Sequence, residues 1–295
     1  MDKGAAHKRT TPYVLVLGTA QDGGYPQLGC EASCCRDLHL DSPRRRFVTA
    51  LALIDPISKE HWLVEATPDL PEQVKRLSEH LQRPSQPPSG ILLTHAHMGH
   101  YTGLMYLGRE VMGASGIPVF ALPRMAAFLR QNGPWSQLVS LGQIDLKPIV
   151  ADSLYTLNKS ISVQPILVPH RDEYSETAAY IIHLGSRQVL FVPDIDKWQY
   201  WDRDIRALIQ QVDIALLDGT FYKDGEIKGR SMADIPHPFV SQSMDHFQGL
   251  SPEDKQKVHF IHFNHTNPLL VAGSEAQKEV LSKGFRLARQ GMVID

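Results

Sequence analysis

The stretch Ile91-Leu92-Leu93-Thr94-His95-Ala96-His97-Met98-Gly99-His100 constrains this chain more than any other. An apolar run of strand type breaks off into three imidazoles. In extended backbone, residues i and i+2 point to the same side, so His95 and His97 converge on one point. Helical spacing of apolar residues begins just beyond, at Leu104, Leu107 and Val111, so the chain turns at His100 and approaches that point from another direction. Three imidazoles at one strand end make a metal site suited to zinc, iron or manganese.

Other strand ends offer matching donors. Ile166-Leu167-Val168-Pro169 runs into His170, and Val189-Leu190-Phe191-Val192-Pro193 runs into Asp194, with Asp196 beyond. Phe260-Ile261 leads into His262 and His265. Asp218 closes another apolar run, placed to support a metal ligand from behind.

Strand-like runs recur at 13–17, 47–54, 62–65, 91–94, 119–121, 161–168, 179–184, 189–192, 214–217 and 258–263. Helical patterns fall at 70–82, 101–112, 124–130, 198–211, 239–247 and 274–289. The early strands cluster before helices arrive singly. This order predicts a mixed sheet or a sheet pair with helices outside, in one domain spanning residues 1–295, with 1–11 flexible. The glycine-rich loop Gly18-Thr19-Ala20-Gln21-Asp22-Gly23-Gly24 after the first run lacks the G-x-G-x-x-G of a dinucleotide site.

Composition excludes several functions. Thirty Lys and Arg against 32 Asp and Glu give a net charge of −2, without the basic excess a nucleic-acid binder needs. No apolar run reaches the ~20 residues that cross a bilayer. The polar start Met1-Asp2-Lys3-Gly4 has no signal-type apolar stretch, which points to the cytoplasm and a small-molecule substrate; a homo-oligomer is left open. Cys30, Cys34 and Cys35 crowd one short window, which suits a reducing compartment better than disulfides. They read either as free thiols or as a zinc knot completed by His39 or a distant residue.

The histidine series resembles the metallo-β-lactamase superfamily, with its H-x-H-x-D-H followed by a His, an Asp and a last His. Within it, the chain is similar to the pyrroloquinoline quinone biosynthesis protein B group and its phosphodiesterase-like relatives. The segments that carry this likeness are 18–27, Glu65-Ala66-Thr67-Pro68-Asp69-Leu70 and Ile261-His262-Phe263-Asn264-His265-Thr266-Asn267-Pro268. The resemblance implies an αββα sandwich, two mixed β-sheets flanked by helices, with the site at one edge. It implies a first metal on His95, His97 and His170, and a second on His100, Asp194 and His262, with Asp194 bridging and His265 as the alternative last ligand. Zinc is the expected ion, iron or manganese the alternatives, with one or two ions per chain. Of the group's C-x-C-x-x-C knot, Cys30 and Cys35 fall in register, Ala32 replaces the middle Cys, and Cys34 is extra.

One departure stands out. The superfamily's Asp in the first motif is Gly99 here, which removes a carboxylate from the second position and favours a single ion or a weak second one. Asp22, on its glycine-rich loop, is the first candidate replacement; Asp69, Asp172, Glu173 and Asp196 are others. The implied chemistry is hydrolysis of a phosphodiester or related ester, with Asp194 orienting the nucleophile and His237 giving the leaving group its proton. Arg171 is placed to meet an anionic substrate. Two further readings are an iron-dependent oxygenase in quinone-cofactor biosynthesis and a non-catalytic metal-binding protein.

Overall fold

A computed structural model describes residues 9–39, 41–227, 229, 231–232 and 235–295. Two seven-stranded mixed sheets lie face to face. The first holds β1 (Tyr13–Gly18), β2 (Ala50–Asp55), β3 (Glu60–Val64), β4 (Gly90–Leu92), β5 (Ile117–Ala121), β6 (Ile144–Pro148) and β14 (Val293–Ile294), in the order 14-1-2-3-4-5-6. The second holds β7 (Tyr155–Thr156), β8 (Ile161–Val168), β9 (Thr177–Leu184), β10 (Arg187–Val192), β11 (Ile214–Asp218), β12 (Val258–Ile261) and β13 (Arg286–Leu287), in the order 13-12-11-10-9-8-7. Each sheet is antiparallel on one side and parallel on the other.

The strands read as unbroken apolar runs because both faces are buried. In β1, Val14 and Val16 enter the layer between the sheets, while Tyr13, Leu15 and Leu17 face the helices. β2 does the same, with Leu51 and Leu53 between the sheets and Ala50, Ala52 and Ile54 outside. α1 (Leu70–Leu81), α2 (Met98–Tyr101), α3 (Pro123–Gln131) and α4 (Trp135–Ser140) accompany the first sheet. α5 (Ile205–Gln211), α6 (Val240–His246), α7 (Pro252–Lys257) and α8 (Glu275–Ser282) accompany the second. This is the expected αββα sandwich. No helix among the described residues is long and apolar enough to cross a membrane.

Three expected helices are shorter than their patterns. The 101–112 pattern becomes the 3-10 turn Thr102–Leu107, because Gly103 packs so closely on the 66–67 backbone that a Cβ would lie 2.0 Å from the Thr67 carbonyl oxygen. In 198–211 the side chain of Asp204 accepts from the Arg206 N–H and caps the helix, so α5 begins at Ile205. In 274–289 the helix stops before Gly284, whose φ of +91° suits the left-handed region that glycine tolerates, and the chain continues as β13. Of the stretch expected to be flexible, 1–8 lie outside the described residues; Arg9 pairs with Asp295 at 3.1 Å.

His61, on β3, sits far from the histidine cluster. Burial, reinforced by the Arg83 guanidinium 3.0 Å from its Nδ1, pushes its pKa down to about 4. An unfolded histidine titrates near 6.5, so between pH 6.5 and 4 the unfolded chain binds a proton that the fold refuses. Stability falls with pH through that window, by up to about 3 kcal/mol from this residue. His61→Gln is expected to flatten the pH dependence of the urea midpoint there; an unchanged slope would refute the assignment.

Candidate metal centre

β1, β3 and β4 run parallel, as do β8, β10, β11 and β12, so seven strand ends open on one edge of the sandwich. Every donor comes from one of these ends. β4 delivers His95 and His97, and α2 then swings His100 back underneath. β8 delivers His170, β10 Asp194, β11 Asp218, β12 His262, and the loop after β1 Asp22. His262 takes a left-handed backbone (φ +66°), as does Glu65 (φ +80°) at the end of β3. Side chains with a Cβ adopt that region at a cost and concentrate at functional sites.

The rings form two sets. The ligand atoms of His95, His97 and His170 lie within 4.8 Å of one another, and so do those of Asp22, His100 and His262. Asp194 stands between the sets. Its Oδ1 is 3.8 Å from His170 Nε2, while its Oδ2 is 3.2 Å from His100 Nε2 and 3.4 Å from His262 Nε2. Asp22 Oδ1 lies 3.1 Å from His100 Nε2 and 3.8 Å from His262 Nε2.

Groups behind the rings fix which nitrogen faces inward. Thr94 Oγ1 lies 2.8 Å from His95 Nδ1, Asp196 Oδ1 3.2 Å from His170 Nδ1, and Thr220 Oγ1 3.0 Å from His262 Nδ1. Each turns an Nε2 toward the centre. Glu65 Oε1 lies 3.2 Å from His100 Nδ1. Glu65 and Thr220 are the participants that sequence reasoning passed over. For Glu65 the signal was a carboxylate ending the buried run Trp62-Leu63-Val64, as Asp194 and Asp218 end theirs.

The residues fit a cation. Asp22 Oδ1, Asp194 Oδ2, both nitrogens of His100, and the Nε2 atoms of His170 and His262 are buried with no hydrogen-bond partner among the described residues. Buried polar atoms are nearly always paired, and an orphan costs about 1–3 kcal/mol. Five of these orphans, all of metal-ligating type, converge and are explained by one missing kind of partner; the sixth, His100 Nδ1, faces Glu65. The electrostatics agree. Burial, and then the charge on His100, hold His95 well below its usual pKa and so neutral, as a ligand must be. Burial alone would also discharge His100, yet Glu65, Asp194 and Asp22 outweigh it and push its pKa well up. Burial would raise Asp194, but the imidazoles of His262, His100, His95 and His170 hold it far below the carboxylate range. The centre collects positive charge.

His237 stands just outside. Its Nδ1 lies 2.7 Å from Asp218 Oδ2, and its ligand atom is within 4.8 Å of those of His170 and Asp194. Burial would lower its pKa, but Asp218 raises it overall. Arg171 Nη2 reaches within 3.4 Å of His97 Nδ1.

Two expectations need correction. His265, the alternative last ligand, is not in the cluster. Three residues past His262 the turn aims it away, and its ligand atom lies within 4.8 Å of the Cys30 and Cys34 sulfurs. Cys35 is not part of that trio; its sulfur accepts from the Gln27 N–H at 3.4 Å. The candidate carboxylates other than Asp22 are engaged elsewhere: Asp69 with Arg45 and the Val48 N–H, Asp172 with Arg124, Asp196 behind His170, and Glu173 at the exposed rim of His97.

Residues 61–263 match the beta-lactamase superfamily domain. The chain belongs to the beta-lactamase superfamily. Among its relatives in that superfamily are the coenzyme PQQ synthesis protein B of Methylorubrum populi, 24% identical with 96% of this chain and 99% of the relative aligned. That of Klebsiella pneumoniae is 27% identical over 96% and 97%. Among solved structures, Zn(2+)-bound PqqB from Methylobacterium extorquens superposes with a TM-score of 0.79 over 96% of this chain and 99% of that one, at 21% identity. A diphosphatase from the PhnP family gives 0.66 over 96% of each chain, at 20% identity. These likenesses establish the superfamily's fold here.

Proposed function

We propose that this superfamily member is a metal-dependent hydrolase of a phosphodiester or related ester, with zinc held by His95, His97, His170 and Asp194. The ion supplies Lewis acidity, polarising a phosphoryl or carbonyl oxygen and making water acidic near neutral pH. The chain's own side chains do the rest. Thr94 and Asp196 hold the rings of His95 and His170 so that their Nε2 atoms stay inward. The Asp194 carboxylate, ionised in its nest of imidazoles, orients the attacking water. His237, whose protonated form Asp218 favours, gives its Nε2 proton to the departing alkoxide. Arg171 at the mouth meets the anionic charge of a phosphodiester. Cys30, Cys34 and His265 would hold a second, structural zinc beneath the same loops.

The observation that carries this reading is the pairing of the Asp194-centred histidine sets with the His237–Asp218 dyad, a proton donor beside a cation site. Its test is hydrolysis of bis-p-nitrophenyl phosphate by protein stripped with chelator and then restored with zinc. Activity is expected to vanish and return with the metal, and His97→Ala is expected to lose it with the fold intact; full turnover by the metal-free protein would rule the reading out. The full-length likeness to coenzyme PQQ synthesis proteins favours a second reading, an iron-dependent oxygenase. Iron content after aerobic purification, together with oxygen uptake, separates the two.

A further inference from the structure

The His100 and His262 side of the centre has a carboxylate, and it is Asp22, the first candidate replacement for the one missing at position 99. An ideal Cβ built on Gly99 would lie 2.3 Å from Asp22 Oδ1, 2.9 Å from Asp22 Cγ and 2.6 Å from Asp22 Cα. The Asp22 carboxyl thus fills the space where a side chain at position 99 would begin. Its Oδ1 is buried, has no hydrogen-bond partner among the described residues, and lies 3.1 Å from His100 Nε2 and 3.8 Å from His262 Nε2. The loop carrying it is pinned against the His262 turn. The Gln21 N–H donates to the Phe263 carbonyl at 2.9 Å, Ala20 bridges to Phe263, and Asn264 Nδ2 donates to Gln21 Oε1 at 2.5 Å.

We infer that the second metal position is intact in this chain, with Asp22, His100, His262 and the shared Asp194 as its ligands. The acidic ligand has been transposed from the first turn of α2 to the loop after β1. Gly99 is then the condition for Asp22 rather than a lesion, since any side chain at 99 expels the carboxyl that replaces it. Two carboxylates and two imidazoles, which give up any proton on binding, match the donors a divalent ion of the zinc or manganese class takes. The inference rests on a cation being held at this centre, and holds whether or not the chemistry is hydrolytic.

The test counts ions without using turnover. Stripped protein is titrated with Zn2+ and with Co2+, and bound metal per chain is measured by elemental analysis and calorimetry. Cys30→Ser/Cys34→Ser serves as the background, so that thiol-bound metal does not enter the count. The parent is expected to bind two equivalents. Asp22→Asn, which keeps size and removes charge, is expected to lose one of them or bind it more than about tenfold more weakly, since even an outer-shell partner is worth about 10–100-fold. Gly99→Ala is expected to lose the same equivalent with Asp22 still in the sequence. Two equivalents of unchanged affinity in Asp22→Asn would overturn the assignment, as would a parent that binds only one. A loss of one ion in Asp22→Asn by a protein that cleaves no ester would uphold this site and refute the hydrolytic reading.

Discussion

Asp194→Asn is expected to lower ester hydrolysis by more than about a thousandfold and to release metal from both histidine sets at once, well beyond the 10–100-fold that losing an outer-shell partner costs. Among the described residues, Asp194 is the side chain whose two oxygens face different sets, Oδ1 toward His170 and Oδ2 toward His100 and His262. At 3% exposure it has no water to replace what the amide would withdraw. An asparagine keeps the shape but brings an uncharged oxygen and an N–H2 that points at ligand nitrogens or the ion. The loss extends to the stripped protein. There Asp194, with Glu65 and Asp22, offsets the charge of buried His100. Removing Asp194 leaves that charge only Glu65 and Asp22, so the fold is expected to lose part of the about 3–5 kcal/mol that breaking a buried pair costs. Bound metal and melting temperature, measured with and without chelator, check both halves. Near-normal metal content and rate in a folded Asp194→Asn protein would remove the centre from the account.

Much of this centre was legible because strand periodicity and strand ends leave short-range marks. The i, i+2 spacing of His95 and His97 after Ile91-Leu92-Leu93 is such a mark, and so are His170, Asp194 and His262 directly beyond apolar runs. The doubly buried strands were legible for the same reason. What was not legible depends on contacts between distant segments. Gly99 reads from the chain as a missing ligand and Asp22 as its first replacement, but only the fold shows the Asp22 carboxyl filling the space of a side chain at 99. The choice between His262 and His265 rests on one left-handed residue, which sets His262 inward and leaves His265 to Cys30 and Cys34. The strands β7, β13 and β14 have two residues each, too few to show a period. The 101–112 pattern failed as a long helix because one glycine approaches a carbonyl, a constraint with no local signature.

His237→Ala is expected to cost about 10²–10⁴-fold, the usual worth of a positioned general acid, but only for esters whose leaving group is a poor one. The reasoning begins with Asp218, fully buried and 2.7 Å from His237 Nδ1. That contact fixes the ring so that its other nitrogen carries the free N–H toward His170 and Asp194. Burial alone would keep the ring neutral, yet Asp218, aided by Asp194 and Asp22, raises its pKa and favours the protonated ring. An alkyl alkoxide needs that proton as the bond breaks, whereas p-nitrophenolate leaves without help. The variant's rate should therefore fall steeply with leaving-group basicity, while the parent's stays shallow. Asp218→Asn should move the rates the same way by a smaller factor, because it frees the ring and lowers its basicity without removing it. Measuring kcat/KM across a graded series of aryl and alkyl esters separates this role from metal binding. A ligand's loss would depress every ester alike, and a uniform drop in His237→Ala would transfer the residue from proton delivery to the metal shell.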